Sequence, residues 1–453
     1  EEVGLAAAPK RDFYVLHSLL SLYKDDYRSP DSISKLESVA SKLNKKDTLG
    51  LAILRASLTL CALACGKFLI AKKAAQAGIQ EMRQAESILG VNYLCIHLGQ
   101  IELHQANLDK AQAYLIEAGN MAEINFGNDS RLKTNCDINI QALNFWQEPC
   151  QLDPVKMLEL LSNACDTDGW FEIYASGFTS IIENLRIYEN KDLAWEVINL
   201  ITLTARSRQI KRLAELELSL RLTAALISHD ANLIIPLIED VSKEGLCLNR
   251  EDYRYNWLPF CETTLSLGSA YLDGYKTENL ESRLDIGLEI VRSIGATLYL
   301  IRLLVLKGML DFSQNAVEAG VEHILEAAQL AASESIKTPF LMSSLTMDLM
   351  RTAIESNTGN SGRLLEVNFL RSCVELNKNL ELIPMGEFHT MTLSKREMDV
   401  LKDLAMGKAN KEIARNLGMT GNTVKFHLKN IFTKLVVDKR INAVNRAREL
   451  KLI

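Results

Sequence analysis

The sequence predicts an all-α chain in two parts: a long acidic body of stacked helical repeats wound into a superhelix, then a small basic four-helix domain. Three observations carry this. Only 8 Pro and 23 Gly occur in 453 residues, so helix breakers are scarce and helix is the expected state. Amphipathic stretches alternate with short polar or Gly-containing breaks over residues 1–380. Charge is segregated as well. Residues 389–453 hold 14 Lys and Arg against 6 Asp and Glu, a charge of +8. The remaining 37 basic and 51 acidic residues leave the rest at −14, within a whole-chain charge of −6. A basic module attached to an acidic body points to a polyanionic partner.

The body is assigned residues 1–380. Its clearest unit runs Leu98-Gly99, Ala106, Leu108, Ala111, Leu115 and Ala118. This resembles the tetratricopeptide (TPR) pattern, in which small residues let two helices approach and larger apolar ones fill the space between units. Glu102 stands where that pattern usually has Tyr. Gly66, Phe68, Ala71, Ala75 and Gly78 repeat the second-helix positions forty residues earlier, with weaker echoes at Leu193-Ala194, at Leu267-Gly268 and at Gly320. At roughly 34–40 residues per helical pair, such a body makes about ten degenerate TPR-like pairs. One pair cannot bury its apolar face alone, so pairs stack into a superhelix whose concave surface takes a small effector or a protein. A compact helical bundle with chance repeats is the competing architecture.

Several features of the body invite a chemical reading and lack the residues for one. Cys61 and Cys65 share a helix face among Leu58, Ala62 and Phe68, which reads as packed interior. His97 and His104 lie seven apart without the further ligands a zinc site needs. Trp146, Trp170, Trp195 and Trp257 read as core before effector groove, and Glu215 to Glu217 reads as a solvated face. Gly66-Lys67-Phe68 and Gly407-Lys408-Ala409 lack the phosphate-loop spacing, and no Gly-x-Ser-x-Gly elbow occurs. The chain is therefore expected to be no enzyme, with no metal and no cofactor of its own. Its 9 Cys lack any CxxC pair, as reduced thiols of a cytoplasmic protein do. No apolar stretch approaches the roughly 18 residues of a membrane span. The start, Glu1-Glu2-Val3-Gly4, has neither a signal-peptide pattern nor an initiator Met, which suggests a processed product or a piece of a longer protein.

Residues 381–391, with Pro384 and Gly386, are assigned as a linker, and residues 392–453 as the terminal domain. Ser394-Lys395-Arg396-Glu397 forms a capping box. Val400, Leu401 and Leu404 follow as the apolar stripe of a first helix ending near Gly407. A second helix, Asn410 to Leu417, buries Ile413, Ala414 and Leu417, and Gly418 stops it. Thr420 caps a third helix, Gly421 to Leu435, whose inner face is Val424, Leu428, Ile431 and Leu435. Asn422, Thr423, Lys425, Phe426, Lys429 and Asn430 lie outside, near its N-terminal half. Two helices joined by a turn of about four residues, the second offering cations and donors at its start, make a helix-turn-helix. Its second helix fits a DNA major groove, where Lys donates to guanine and Phe meets a thymine methyl.

The motif Leu393-Ser-Lys-Arg-Glu397, Val400-Leu401, Gly407, Asn410-Lys-Glu-Ile-Ala414, Leu417, Thr423-Val-Lys-Phe-His427, Ile431 and Lys434-Leu435 resembles the LuxR/GerE helix-turn-helix signature. Arg440 and Ala443-Val444 carry it into a fourth helix from Lys439. The resemblance implies that Lys425, Phe426 and Lys429 face bases, that Asn410, Lys411 and Thr423 hold phosphates, and that the last helix supports pairing on DNA. His427 reads as a structural contact. Val436 and Gly421 depart from the pattern and bear on cap geometry alone. An acidic helical-repeat body before such a module resembles the C-terminal part of the large MalT-type LuxR regulators. In those, an ATP-binding domain precedes the repeats, so ATP is expected only if an upstream domain is missing.

The resulting expectation is a cytoplasmic, sequence-specific transcription regulator, an activator. It would bind double-stranded DNA as a dimer or larger homo-oligomer and contact RNA polymerase, while its body senses a small-molecule or protein signal. The alternative is a TPR-like protein-binding scaffold that uses the module as a DNA anchor.

Overall fold

The computed structural model describes residues 12, 13, 16, 31–44, 46–167, 169–243, 256–381, 395–419, 421–434 and 439–449. By internal packing the chain divides into two compact units, Glu1–Leu380 and Glu381–Ile453. Every regular element among the described residues is helical, as predicted.

The first unit opens with α1 (Asp31–Lys42), α2 (Thr48–Ala64), α3 (Phe68–Gln84), α4 (Ile88–His104), α5 (Leu108–Phe126) and α6 (Arg131–Gln147). It continues through α7 (Pro154–Asp166), α8 (Phe171–Ile187), α9 (Lys191–Arg208), α10 (Lys211–Ile227), α11 (Ala231–Lys243) and α12 (Trp257–Leu272). α13 (Leu280–Ile294), α14 (Thr297–Ser313), α15 (Val317–Ala331), α16 (Ser344–Ser356) and α17 (Leu364–Glu381) complete it.

Local chemistry sets the ends of these helices. Side chains of Asp47, Ser87, Ser130, Asp153 and Asn190 cap the starts of α2, α4, α6, α7 and α9 by accepting from amides two or three residues on. The turns recur in one form. A single residue in the left-handed region sits at Gly66, Glu86, Ala106, Glu189, His229 and Asn315. The amide after it returns to a carbonyl five residues back, as in Lys67 N to Ala62 O (2.8 Å), Ser87 N to Met82 O (2.9 Å) and Asn107 N to Glu102 O (2.9 Å). This closure satisfies the last carbonyls of each helix and folds the chain back into a hairpin.

The pairs do not lie along an open stack. α4, α6, α8, α10, α12 and α14 each touch the next, and α14 touches α4, so six inner helices close a ring. α5, α7, α9, α11, α13 and α15 pack outside it. Closure is made by side chains from opposite ends of the array. His104 lies 5.2 Å from Trp257 and 6.2 Å from Tyr299, ring centre to ring centre, and Phe68 lies 5.9 Å from Trp257. Behind this, the short helical turns of residues 332–341 reach back to α5 and α6. The Lys337 amide donates to Gln147 O (3.2 Å), its ammonium pairs with Glu148 (2.7 Å), and the Thr338 hydroxyl donates to Phe145 O.

The ring changes one expectation. The concave face expected to take an effector or a protein is closed over at its centre: Gln100 is 2 % exposed, Glu262 2 % and Arg302 4 %. It is also polar. One stripe of α4 carries Tyr93, His97, Gln100 and His104, and one stripe of α8 carries Glu172, Ser176, Thr179 and Glu183, at the spacing that keeps residues on one face. At the centre, the guanidinium of Arg302 donates to both oxygens of Glu262 and to Glu183 (3.1 Å) while lying over Trp146. The Tyr299 hydroxyl adds a 2.6 Å bond to Glu262. Burial and the neighbouring Glu262 carboxylate push the Tyr299 phenol well above its usual range, which keeps it a donor.

Cys61 and Cys65 are buried in the body's core, as read from their neighbours. Glu217 is a correction: it is buried, not solvated, and accepts from Thr202 and Arg221. A carboxylate reads as surface in sequence, yet an interior one is tolerated where donors meet it.

Candidate nucleic-acid interface

The second unit is built from α18 (Lys395–Ala405), α19 (Asn410–Asn416), α20 (Gly421–Lys434) and α21 (Arg440–Glu449). Its core is Val400, Leu401 and Leu404 from α18, Ile413 and Ala414 from α19, Val424, Leu428 and Ile431 from α20, and Ala443 and Ala447 from α21. The apolar stripes predicted for the first three helices are these residues, except that Leu417, expected to be buried, is half-buried against them. Leu435 lies outside the described residues.

Two polar clamps set how α18 and α19 meet. Asp403, on the inner side of α18, accepts from the Lys408 ammonium (2.7 Å) and from the Asn416 amide (2.8 Å). Burial alone would raise its carboxyl, but these two donors hold it below the usual range. Arg440, first residue of α21, donates to Leu404 O (3.4 Å), to Lys408 O and to the side chain of Asn410 (3.3 Å). Gly407 and Gly418 both lie in the left-handed region that ends α18 and α19, with φ of 81° and 65°. The Glu412 carboxylate accepts from the Ala409 amide (2.7 Å) and so closes the start of α19. The Asp403 triad carried no sequence signal, because its members fall five and thirteen residues apart.

Four residues separate α19 from α20. Val424, Leu428 and Ile431 turn inward from α20, and His427 is buried with them at 6 % exposure, which suits a structural contact. Lys425 is exposed on the opposite face, Thr423 is half-buried near the start, and Lys411 is exposed on α19. Asn410 is half-buried at the start of α19, its side chain held by Arg440. Thr420, and the side chains of Asn422, Phe426, Lys429 and Asn430, lie outside the described residues. The arrangement offers cations beside a helix N-terminus, where backbone amides and the helix dipole favour phosphate.

Residues 391–447 match the family model for bacterial regulatory proteins of the LuxR family. The chain carries a LuxR-type helix-turn-helix domain. α19 and α20, joined by a four-residue turn, stand in the order of a helix-turn-helix. The chain is similar to three transcription proteins that share this domain. It is 35 % identical over 106 residues to the HTH-type transcriptional regulator AlkS of Alcanivorax borkumensis, which is 23 % of this chain and 11 % of AlkS. It is 30 % identical over 116 residues to the HTH-type transcriptional activator RamA of Corynebacterium glutamicum, 26 % of this chain and 41 % of RamA. It is 47 % identical over 51 residues to the nitrate/nitrite response regulator NarP of Escherichia coli, 11 % of this chain and 24 % of NarP. The chain thus spans less than half the length of each of these relatives.

Proposed function

We propose that the protein is a sequence-specific DNA-binding transcription regulator, an activator, whose closed repeat body senses a small-molecule or protein signal. The observation that carries this is the LuxR-type domain with Lys425 exposed on α20 and Lys411 exposed on α19. In this reading Lys425, Phe426 and Lys429 face bases, with Asn422 and Asn430 beside them. Asn410, Lys411, Thr420 and Thr423 grip the backbone. The protein acts in the cytoplasm as a dimer or larger homo-oligomer on DNA and contacts RNA polymerase. It uses no cofactor bound by these residues and performs no catalysis. RamA, described as an activator, supports the direction of regulation. The alternative is a TPR-like protein-binding scaffold that uses the helix-turn-helix only as a DNA anchor, and whether a small molecule or a protein changes DNA affinity tells the two apart.

Selection of bound sequences from a random DNA pool, with and without cell extract, tests the reading and reports the site and its symmetry. On the selected site, Lys425→Ala and Lys429→Ala each weaken binding by about 1–3 kcal/mol if the side chain reads a base. Equal losses on selected and random DNA would make them phosphate contacts instead. No enrichment from the pool in either condition defeats the proposal.

A further inference from the structure

Closing a row of helices into a ring makes one interface unlike the others. Each neighbouring pair around the ring is joined by chain running through an outer helix, except α4 and α14, which meet over a short stretch with no such link. At this closure the ring of His104 on α4 meets Tyr299 on α14, Trp257 of α12 packs against His104 and against Phe68 of α3, and Ile294 at the end of α13 lies where a Cβ at Gly66 would be.

The lumen beside this seam is poorly satisfied. Gln100 Nε2 and His104 Nδ1 on α4, Ser176 Oγ and Thr179 Oγ1 on α8, and Trp170 Nε1 just before α8 are all shut off from solvent without a hydrogen-bond partner. They fall in one region. His97 packs against Trp170 (5.1 Å) at one end, and Arg302 reaches Glu183 of α8 at the other. Buried polar groups are almost always paired, so the closed arrangement leaves bonding capacity unmet that water would meet if the faces parted. Arg302 opposes that parting. It ties α14 to α8 and α12, and removing it leaves the buried Glu262 to the Tyr299 hydroxyl and the buried Glu183 to Arg186.

We propose that the ring opens at the α4–α14 seam as a unit while α8 and α10 stay folded, that Arg302 latches the closed state, and that the signal acts by shifting this opening. The last part rests on the sensing reading given above; the first two do not.

Native-state hydrogen exchange of the full chain, followed by mass spectrometry, reads local opening directly. Amides of residues 88–104 and 297–313 exchange at least about tenfold faster than those of 171–187 and 211–227, although all four helices are buried. A Cβ at Gly66 lies 3.4 Å from the Ile294 Cβ, close to the separation a disulfide spans. Gly66→Cys with Ile294→Cys, made in a Cys65→Ser background, therefore staples the turn before α3 to the end of α13, across the same closure of the ring. Oxidation brings seam exchange down to the rate of 211–227, and reduction restores it. Arg302→Met raises seam exchange about tenfold or more; should that variant not fold, Thr179→Val works in the opposite sense and slows it about threefold or more. One common exchange rate for all four segments, unchanged by the staple, overturns the proposal. Sensing is read apart from this, with a cell extract that alters DNA affinity. If the seam opens and no extract has an effect, the sensing reading falls and the seam stands. An extract acting equally on oxidised and reduced protein breaks the link between the two.

Discussion

His97 shows how the ring converts position into chemistry. Burial pushes its imidazole down to about 4, against a smaller upward pull from the Gln100 side chain. In the folded chain it is neutral near pH 5, while in the unfolded chain it is cationic below about 6.5. The unfolded state then binds more protons across the window from 6.5 down to 4, so stability is lost as pH falls through it. For one such residue the loss is roughly 2 kcal/mol between pH 7 and pH 5. His104, also pushed down to about 4 by burial, acts in the same sense. Urea unfolding at the two pH values measures the loss, and His97→Gln should shrink it; a variant with the wild-type pH slope would refute the assignment. The spacing of these two histidines was visible in the sequence. Their shared face toward a closed lumen was not, because it depends on helices brought up from the far end of the body.

The helices themselves were legible to the extent that local chemistry decides them. Val400, Leu401, Val424, Leu428 and Ile431 declared their faces by spacing, and Gly418 declared a stop. The repeat turns were harder, because the left-handed position is filled by Gly66 in one turn and by Glu86, Ala106, Glu189, His229 and Asn315 in others. The geometry recurs while the residue does not, so the period blurs in sequence. Glycines at helix crossings are firmer signals. A Cβ at Gly320 would lie 2.9 Å from the Gly308 carbonyl oxygen and 3.2 Å from the Phe312 amide, both backbone atoms with little freedom to give. Gly320→Ala should therefore destabilise the α14–α15 pair by about 1–3 kcal/mol, seen as a lower urea midpoint; an unchanged midpoint would show that the crossing relaxes. Arg440 governs an element in the other unit. Its loss frees the carbonyls that close α18 and the side chain of Asn410, so Arg440→Ala should weaken DNA binding on selected and random sequences alike. Arg440→Lys cannot restore the fork of bonds. A loss confined to the selected site would mean that Arg440 reads sequence and does not merely hold the turn.

On the scale of the whole molecule, charge segregation was legible at once and ring closure was not, since a count needs no contacts and closure consists of them. The +8 of residues 389–453 against −14 elsewhere makes binding strongly dependent on ionic strength. Each phosphate neutralised releases condensed counterions, contributing about −0.9 to the slope of log affinity against log salt. Lys411, Asn410 and Thr423, placed around α19 and the start of α20, are the backbone contacts in this reading, while Lys425 addresses a base. The full chain should therefore lose DNA affinity steeply between 50 and 200 mM salt, by about a thousandfold or more for several contacts in each of two paired modules. Lys411→Ala should make the slope shallower by about 1, on any sequence. Lys425→Ala should lower affinity for the selected site and leave the slope nearly unchanged if its partner is a base. Fluorescence anisotropy titrations across that salt range separate the two. Equal slope changes for both variants would make Lys425 a phosphate contact and move base reading to the rest of α20. A flat profile for the wild-type chain is incompatible with a cationic helix seated among phosphates, and it would remove the DNA-binding role from this face of the domain.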